Sequence, residues 1–205
     1  MEILKSLDEY VPTAISTESI VKMQLERPVK GVEDKITEWK KETVNARFLH
    51  GAMGLCTETG ELEEALYESR SHQIDDINVV EECGDVIWYL AIVVDSLNLK
   101  FADIPFKDSP GLNLEDAISH MIQSSDQILD KAKRNTFYGK ELEIDKVIHQ
   151  LSVLIYGLSY ACDIEVAIDK VTRKLTGKGG RYEDGFTQKE AYDRDTDKER
   201  SILEQ

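Results

Sequence analysis

Apolar residues recur at intervals of three and four along nearly the whole chain, and this helical periodicity constrains the fold more than any other feature. All four prolines lie before residue 111, so the rest of the chain lacks the strongest helix breaker. The sequence therefore predicts an all-α fold, an antiparallel helical bundle built from two helical hairpins. Helices are expected at about 17–27, 32–46, 47–70, 76–98, 114–135, 142–161, 164–176 and 188–203.

Residues with turn chemistry divide this pattern at one place, the stretch KFADIPFKDSPG at 100–111. Asp75 or Asp76, Asn113 and Asp163 are expected to cap helix starts, and Gly177 is expected to end a helix. We expect one domain over residues 1–205. Its parts are an N-terminal extension at 1–30, a first hairpin at 45–98, a second hairpin and helix at 112–176, and a basic loop with a C-terminal helix at 177–205.

The chain is strongly acidic, with 40 Asp and Glu against 25 Lys and Arg and a net charge of -15. This charge repels phosphate backbones and anionic lipids, so nucleic acid and membrane surfaces are not expected partners. The longest uncharged run, 147–162, is too short and too polar for a membrane-spanning helix. Three cysteines without a CxxC pair, together with an acidic N-terminus, favour a cytoplasmic location.

Two pairs of acidic residues lie on the apolar faces of the first hairpin. On a helical wheel, Glu58 and Glu61 fall within about 60° of each other, on the same stripe as neighbouring leucines. Glu82 and Asp85 share the face of a second apolar run in the same way. Acidic side chains in these positions face the interior of the hairpin, where ordinary surface acids do not lie.

The two acidic pairs are equally far from the polar turn RSHQIDD at 70–76, so an antiparallel hairpin brings all four carboxylates to one height. Ionised carboxylates gathered in a partly dry cleft repel one another strongly unless cations compensate them. Carboxylates without histidine favour Mg²⁺ or Mn²⁺ over zinc, with phosphate as a usual further ligand. Gly60 and Gly84, beside the acids, predict close approach of neighbouring groups.

The segments that carry these acids, GLCTETGELEEAL and EECGDVIWYL, resemble the E-x-x-E and E-x-x-D signature of the MazG-like all-α nucleoside triphosphate pyrophosphatases. The segment KLTGKGGRYEDGF is similar to the basic element that follows in that family, and the resemblance covers about residues 45–98 and 165–200. The segment LDKAKRNTFYGKELE resembles one found in longer, phage-like members of the group.

The resemblance implies Mg²⁺-dependent hydrolysis of a (deoxy)nucleoside triphosphate to the monophosphate and pyrophosphate. It makes Glu58, Glu61, Glu82 and Asp85 both the catalytic residues and the ligands of two or three Mg²⁺, for which Mn²⁺ substitutes. Glu58 would accept the proton of the attacking water. The resemblance also implies a homodimer or homotetramer in the cytoplasm, the host cytoplasm if the chain is phage-encoded. Base and sugar preference stay open.

Two acid-free basic segments, 131–140 and 170–181, run against the overall charge and predict contacts with substrate phosphates. Aromatic residues and a histidine near the acids are candidates for contact with a base. The predicted substrate-binding residues are Lys174, Arg181, Lys133, Arg134, Trp88, Phe48, His50 and Tyr182.

A non-catalytic role is the alternative, either an acidic helical interaction protein or a nucleic-acid mimic. Such a role needs acids on an exposed face, whereas the four acids fall among apolar neighbours on the wheel. A di-iron carboxylate bundle is disfavoured because its Glu-x-x-His pattern is absent from the sequence. Mg²⁺-dependent release of pyrophosphate distinguishes the enzyme from the interaction protein.

Overall fold

The chain folds into a mostly helical structure with one small antiparallel sheet. The structure, a computed structural model, describes residues 2–19, 22–30, 36–71, 76–106 and 113–204. Within those ranges the helices are α1 (Glu2–Ser16), α2 (Ala46–Ser71), α3 (Asp76–Ser96), α4 (Leu114–Tyr138), α5 (Ile144–Ala161), α6 (Ile164–Thr176), α7 (Gln188–Tyr192) and α8 (Thr196–Leu203). The strands are β1 (Met23–Lys30) and β2 (Ile36–Val44), and a 3₁₀ turn covers Phe101–Asp103.

Helices α2 and α3 form the first hairpin, and glycines on α2 let the two helices approach closely. A Cβ atom added to Gly54 would lie 2.1 Å from the ring of Tyr89, and one added to Gly51 would lie 2.7 Å from Val93 Cγ2. Residue numbers therefore fall along α3 as they rise along α2, which is the antiparallel arrangement predicted from the sequence. This register sets the height at which the acidic residues of the two helices meet.

Helices α4 and α5 form the second hairpin, with α4 packed against α2 and α6 packed against α3. The side chain of Asn113 accepts a hydrogen bond from the backbone N–H of Asp116 at the start of α4. Asp163 caps α6 in the same way, and Gly177 follows its last residue. These two caps and the helix end are confirmed, whereas Asp75 and residues 107–111 of the dividing loop lie outside the described residues.

Two helices expected in the N-terminal part of the chain are wrong. Residues 23–30 and 36–44 form β1 and β2, in which Met23 pairs with Val44 and Gln24 with Thr43. The β2 sequence ITEWKKETV is rich in β-branched and aromatic residues, which favour a pleated strand over a helix. The all-α expectation is therefore correct for most of the chain and wrong for this hairpin.

The expected N-terminal extension contains a helix that the sequence reading does not predict. Helix α1 buries Leu4, Leu7, Tyr10 and Ala14 at helical spacing, and it packs against α3 and α6. Pro12 lies inside this helix and obscures its signal, because proline in a helix interior removes a hydrogen-bond donor. The N-terminal segment thus completes the core that surrounds α3.

No single helix among the described residues is both long enough and apolar enough to cross a membrane. Helices α5 and α6 meet the length and hydropathy criteria only when taken together, and they are bent by 92° at the break between them.

Candidate functional site

A cavity of about 590 Å³ brings together most of the residues predicted from the sequence. Side chains of α2 and α3 line it together with the end of α6 and with residues between 181 and 200. The predicted site residues that line this cavity are Glu58, Glu61, Glu82, Asp85, Lys174, Arg181, Trp88, His50 and Tyr182.

Three carboxylates form the centre of the site. Glu58, Glu61 and Glu82 each offer an oxygen atom, and these three oxygens lie within 4.8 Å of one another. Glu58 and Glu82 are half-buried and Glu61 is exposed, so the cluster is open to the cavity on one side. Such a group of oxygen donors matches the ligand preference of a hard divalent cation. The hairpin register predicted from the sequence accounts for this meeting of α2 and α3.

Two of these carboxylates have pKa values well above the usual value for glutamate. Burial, followed by the negative charges of Asp85 and Glu61, raises the pKa of Glu58 to about 7. Burial, again followed by Asp85 and Glu61, raises the pKa of Glu82 to about 8. A raised carboxyl pKa means that the negative form lacks compensation where it lies. A proton or a cation bound at this cluster supplies that compensation.

The fourth predicted carboxylate, Asp85, is paired with a buried lysine. Lys174 Nζ lies 2.6 and 2.7 Å from the two carboxylate oxygens of Asp85 and 3.2 Å from Glu81 Oε1. Burial alone lowers the pKa of Lys174, but the charges of Asp85 and Glu81 outweigh burial and hold that pKa above its usual value. Lys174 is therefore a fixed positive charge beside the three-carboxylate cluster.

The predicted phosphate ligand Arg181 is also paired with an acid. Its Nε and Nη2 atoms each lie 2.6 Å from a carboxylate oxygen of Glu199 on α8. Arg194 Nε approaches the same carboxylate at 2.9 Å, and Arg194 Nη2 lies 3.4 Å from Glu81 Oε1. The pair of Arg181 and Glu199 is nearly buried, with side-chain exposures of 16% and 6%. A two-arginine centre thus lines the same cavity as the acids.

Aromatic side chains form one end of the cavity. The rings of Trp88 and Tyr89 meet edge to face with centroids 4.7 Å apart, and His50 packs edge to face against both. Trp88 Nε1 donates a hydrogen bond to Thr17 Oγ1 at 2.8 Å, which fixes the indole ring. Burial, with the nearby charges of Glu58 and Asp85, raises the pKa of Tyr89 to about 12, so its phenol stays protonated.

Three predicted site residues do not reach this cavity. Phe48 is fully buried in the hydrophobic core, so its ring is not presented to a ligand there. Lys133 Nζ lies 3.0 Å from a carboxylate oxygen of Asp130, and Arg134 Nε lies 2.6 Å from the other. Both basic side chains face solvent and lie three and four residues after Asp130 on α4. These ion pairs along one helix explain the two basic residues without a bound phosphate.

Sequence reasoning misses four charged residues of the cavity wall: Glu81, Arg194, Glu199 and Arg200. Glu81 lies one helical turn before Asp85, and that spacing was the available signal. No spacing in the sequence marks Arg194 and Glu199, because the way the chain folds back after α6 brings them to the cavity.

No protein-family model, no curated protein and no solved structure matches the chain. The function is therefore inferred from the residues of this cavity and their arrangement.

Proposed function

We propose that the chain is a Mg²⁺-dependent nucleoside triphosphate pyrophosphohydrolase that converts a (deoxy)nucleoside triphosphate to its monophosphate and pyrophosphate. The observation that carries this proposal is that the three-carboxylate cluster and a two-arginine centre line one cavity. A nucleotide is the ligand class that needs all of these features, since it combines a metal-chelating phosphate chain with an aromatic base. The resemblance of the acidic segments to MazG-like enzymes supports the same activity.

The chemistry of the donor set fits a divalent cation. Glu58, Glu61 and Glu82 would hold Mg²⁺, and Asp85, whose two oxygens contact Lys174 Nζ, would be a fourth carboxylate beside them. Oxygen donors alone, without cysteine or histidine among them, match Mg²⁺ and Mn²⁺. When bound, Mg²⁺ lowers the pKa of water and neutralises charge on phosphate oxygens. Burial and neighbouring negative charges raise the pKa values of Glu58 and Glu82, and both effects favour a cation at the cluster.

The side chains around the cluster have separate roles in this proposal. Glu58, half-buried within the carboxylate cluster, would accept the proton of the attacking water. Lys174 and Arg181 would stabilise the negative charge of the departing pyrophosphate, because ammonium and guanidinium groups bind phosphate oxygens strongly. His50 and Trp88 line the part of the cavity where a base would be excluded from water. A homodimer or homotetramer stays a prediction.

The test is pyrophosphate release from a panel of ribo- and deoxyribonucleoside triphosphates, measured with Mg²⁺ and with EDTA. We expect release from at least one triphosphate in Mg²⁺ and background release in EDTA. Monophosphate and pyrophosphate should appear in equal amounts, which separates attack at the α-phosphorus from removal of the terminal phosphate. Background signal for the whole panel in both Mg²⁺ and Mn²⁺ would contradict the proposal and favour a non-catalytic acidic protein.

A matched pair of variants on α2 tests the cluster itself. Glu61→Gln keeps the side-chain size but removes one proposed ligand charge, so we expect at least a roughly 100-fold loss of turnover. Glu64→Gln removes the same charge from an exposed position on the same helix, and we expect turnover close to that of the wild type. Circular dichroism should show the same helical content for both. Equal activity in the two variants would exclude Glu61 from the site.

A further inference from the structure

Two arginines and one glutamate form a charge centre whose composition is unusual for a structural ion pair. Arg181 and Arg194 both direct their guanidinium groups at the single carboxylate of Glu199, with contacts of 2.6, 2.6 and 2.9 Å. The three groups together carry one net positive charge. Each guanidinium has five N–H donors, more in total than the single carboxylate of Glu199 can accept, and Arg194 also contacts Glu81 Oε1 at 3.4 Å.

The centre lies on the wall of the same cavity as the acidic cluster. Arg181, Arg194 and Glu199 line that cavity together with Glu58 and Glu82. Ion pairs connect the two places, because Arg194 contacts Glu81 and Glu81 contacts Lys174, which holds Asp85. Positive and negative side chains therefore alternate along the ion pairs that connect the acids with α8.

Backbone hydrogen bonds fix Arg181, whereas Arg194 is more exposed. The N–H of Arg181 donates to the carbonyl of Lys174 at 2.9 Å, and the loop that carries it folds back on the end of α6. Arg181 also stacks over Tyr182, with its guanidinium carbon 5.6 Å from the ring centroid. The side chain of Arg194 is 43% exposed and can follow a ligand. Arg181 is thus held in place, Arg194 can move, and α8 supplies the acid that both contact.

We propose that Arg181 and Arg194 form a binding site for the diphosphate end of a nucleotide, and that Glu199 occupies this site in the free protein. This inference rests on the proposed function, since it assigns the phosphate chain of the same substrate. Glu199 acts as an internal competitor, so α8 is displaced when a diphosphate or triphosphate binds. A diphosphate offers more charge and more acceptor oxygens to two arginines than one carboxylate does.

Binding of inorganic pyrophosphate in EDTA, measured by isothermal titration calorimetry, tests the site without metal or turnover. Glu199→Gln removes the competing charge, so we expect a dissociation constant about tenfold lower than that of the wild type. Arg194→Gln should raise it about tenfold. Asp197→Asn is the matched control, because it removes one charge from an exposed position of α8. Affinity in Glu199→Gln equal to or weaker than that of Asp197→Asn would overturn the proposal.

A second measurement uses the wild-type chain and does not depend on the folding of a variant. Hydrogen–deuterium exchange at the backbone amides of α8 should become faster when pyrophosphate is added, because Glu199 loses both arginines. Exchange that stays unchanged or slows at saturating pyrophosphate would mean that Glu199 keeps its place, and the proposal would be wrong.

These experiments separate this inference from the proposed function. Turnover of a triphosphate, together with unaltered pyrophosphate affinity in Glu199→Gln, rejects only the role of Glu199. Tighter pyrophosphate binding in Glu199→Gln without turnover of any triphosphate supports the two-arginine site and rejects the enzyme.

Discussion

Glu82 and Asp85 lie one helical turn apart on α3, yet their electrostatic surroundings are opposite. The carboxylate of Asp85 is held by Lys174 Nζ at 2.6 and 2.7 Å, so its negative charge is compensated within the protein. Glu82 faces the charges of Asp85, Glu61, Glu81 and Glu58, and these charges add to the effect of burial on its pKa. Removing a charge at the two positions should therefore change stability in opposite directions.

We expect Asp85→Asn to lower the free energy of unfolding in EDTA at pH 9 by about 2 kcal/mol, because the variant leaves a buried ammonium with a weaker partner. Glu82→Gln should raise the free energy of unfolding under the same conditions, because it removes an uncompensated charge. Urea denaturation measures both, with Glu64→Gln as the control that should stay within about 0.5 kcal/mol of the wild type. A change of the same sign in both variants would contradict this account of the cluster.

The hydroxyl of Tyr10 lowers the stability of the fold. Its side chain is buried on α1, and among the described residues its hydroxyl has no hydrogen-bond partner. Burial and the charge of Asp85 raise the pKa of Tyr10, which keeps the phenol neutral. Leaving a buried polar group without a hydrogen bond costs free energy.

Tyr10→Phe should therefore raise the free energy of unfolding by about 1 kcal/mol, since it keeps the ring and removes the hydroxyl. Urea denaturation at pH 7 is the measurement. Turnover should be unchanged, because Tyr10 does not line the cavity. A loss of stability would show that the hydroxyl has a partner, such as a bound water.

At the level of elements, the two glycines near the acids differ in how closely neighbouring atoms approach them. A Cβ atom added to Gly84 would lie 2.9 Å from Val171 Cβ and 3.3 Å from the carbonyl oxygen of Ala167. Gly84 therefore allows α6 to pack closely against α3 and sets Lys174 beside Asp85. A Cβ atom added to Gly60 would meet no atom within 4 Å, so the expected close approach at Gly60 is wrong among the described residues.

Alanine substitutions should separate the two glycines. Gly84→Ala should cost about 1–3 kcal/mol of unfolding free energy, because the neighbouring atoms belong to backbone and to a Cβ that cannot rotate away. Gly60→Ala should increase stability by roughly 0.5–1 kcal/mol, the usual gain for replacing glycine in an open helix position. Urea denaturation checks both, and a neutral Gly84→Ala would mean that α3 and α6 are packed less tightly.

The sequence predicts an element well when the apolar face seen in its local pattern is also the face that packs against another element. The helical wheel that placed Glu58 and Glu82 on apolar stripes also placed them on the side where α2 and α3 meet, although residues 90–94 of α3 are buried all around the helix. The β1–β2 hairpin escaped prediction because its charged and β-branched residues fit a helical spacing as well as a strand. The pairing of β1 with β2 decides between the two structures, and a helical wheel drawn for either segment alone does not include that pairing.

Ion pairs set the second limit on prediction from sequence. Net charge and spacing identified Lys174 and Arg181 as groups of interest, but not the acids that hold them. Lys174 reaches Asp85 across 89 positions in the chain, and Arg181 reaches Glu199 across 18. Such partners depend on how α6 and α8 return to α3, which no local pattern encodes.

For the whole molecule, the net charge of -15 does not show which acidic side chains are paired with basic ones and which are not. Lys174, Arg181 and Arg194 pair with Asp85 and Glu199, whereas Glu58 and Glu82 are left with raised pKa values of about 7 and about 8. Their usual value is 4.5. The folded state therefore holds protons at this cluster in a pH range where the unfolded state has released them, so the stability of the metal-free protein rises as the pH falls from about 8 toward 5.

We expect the melting temperature in EDTA to be higher at pH 6 than at pH 8.5, because protonation of Glu58 and Glu82 removes repulsion within the folded state. Mg²⁺ competes with these protons, so saturating Mg²⁺ should raise the melting temperature more at pH 8.5 than at pH 6. Glu82→Gln should weaken both effects and Glu64→Gln should leave them unchanged, as measured by differential scanning fluorimetry. If stability in EDTA instead rises with pH across this range, the carboxylates are compensated by another group, and the cluster is not a cation site.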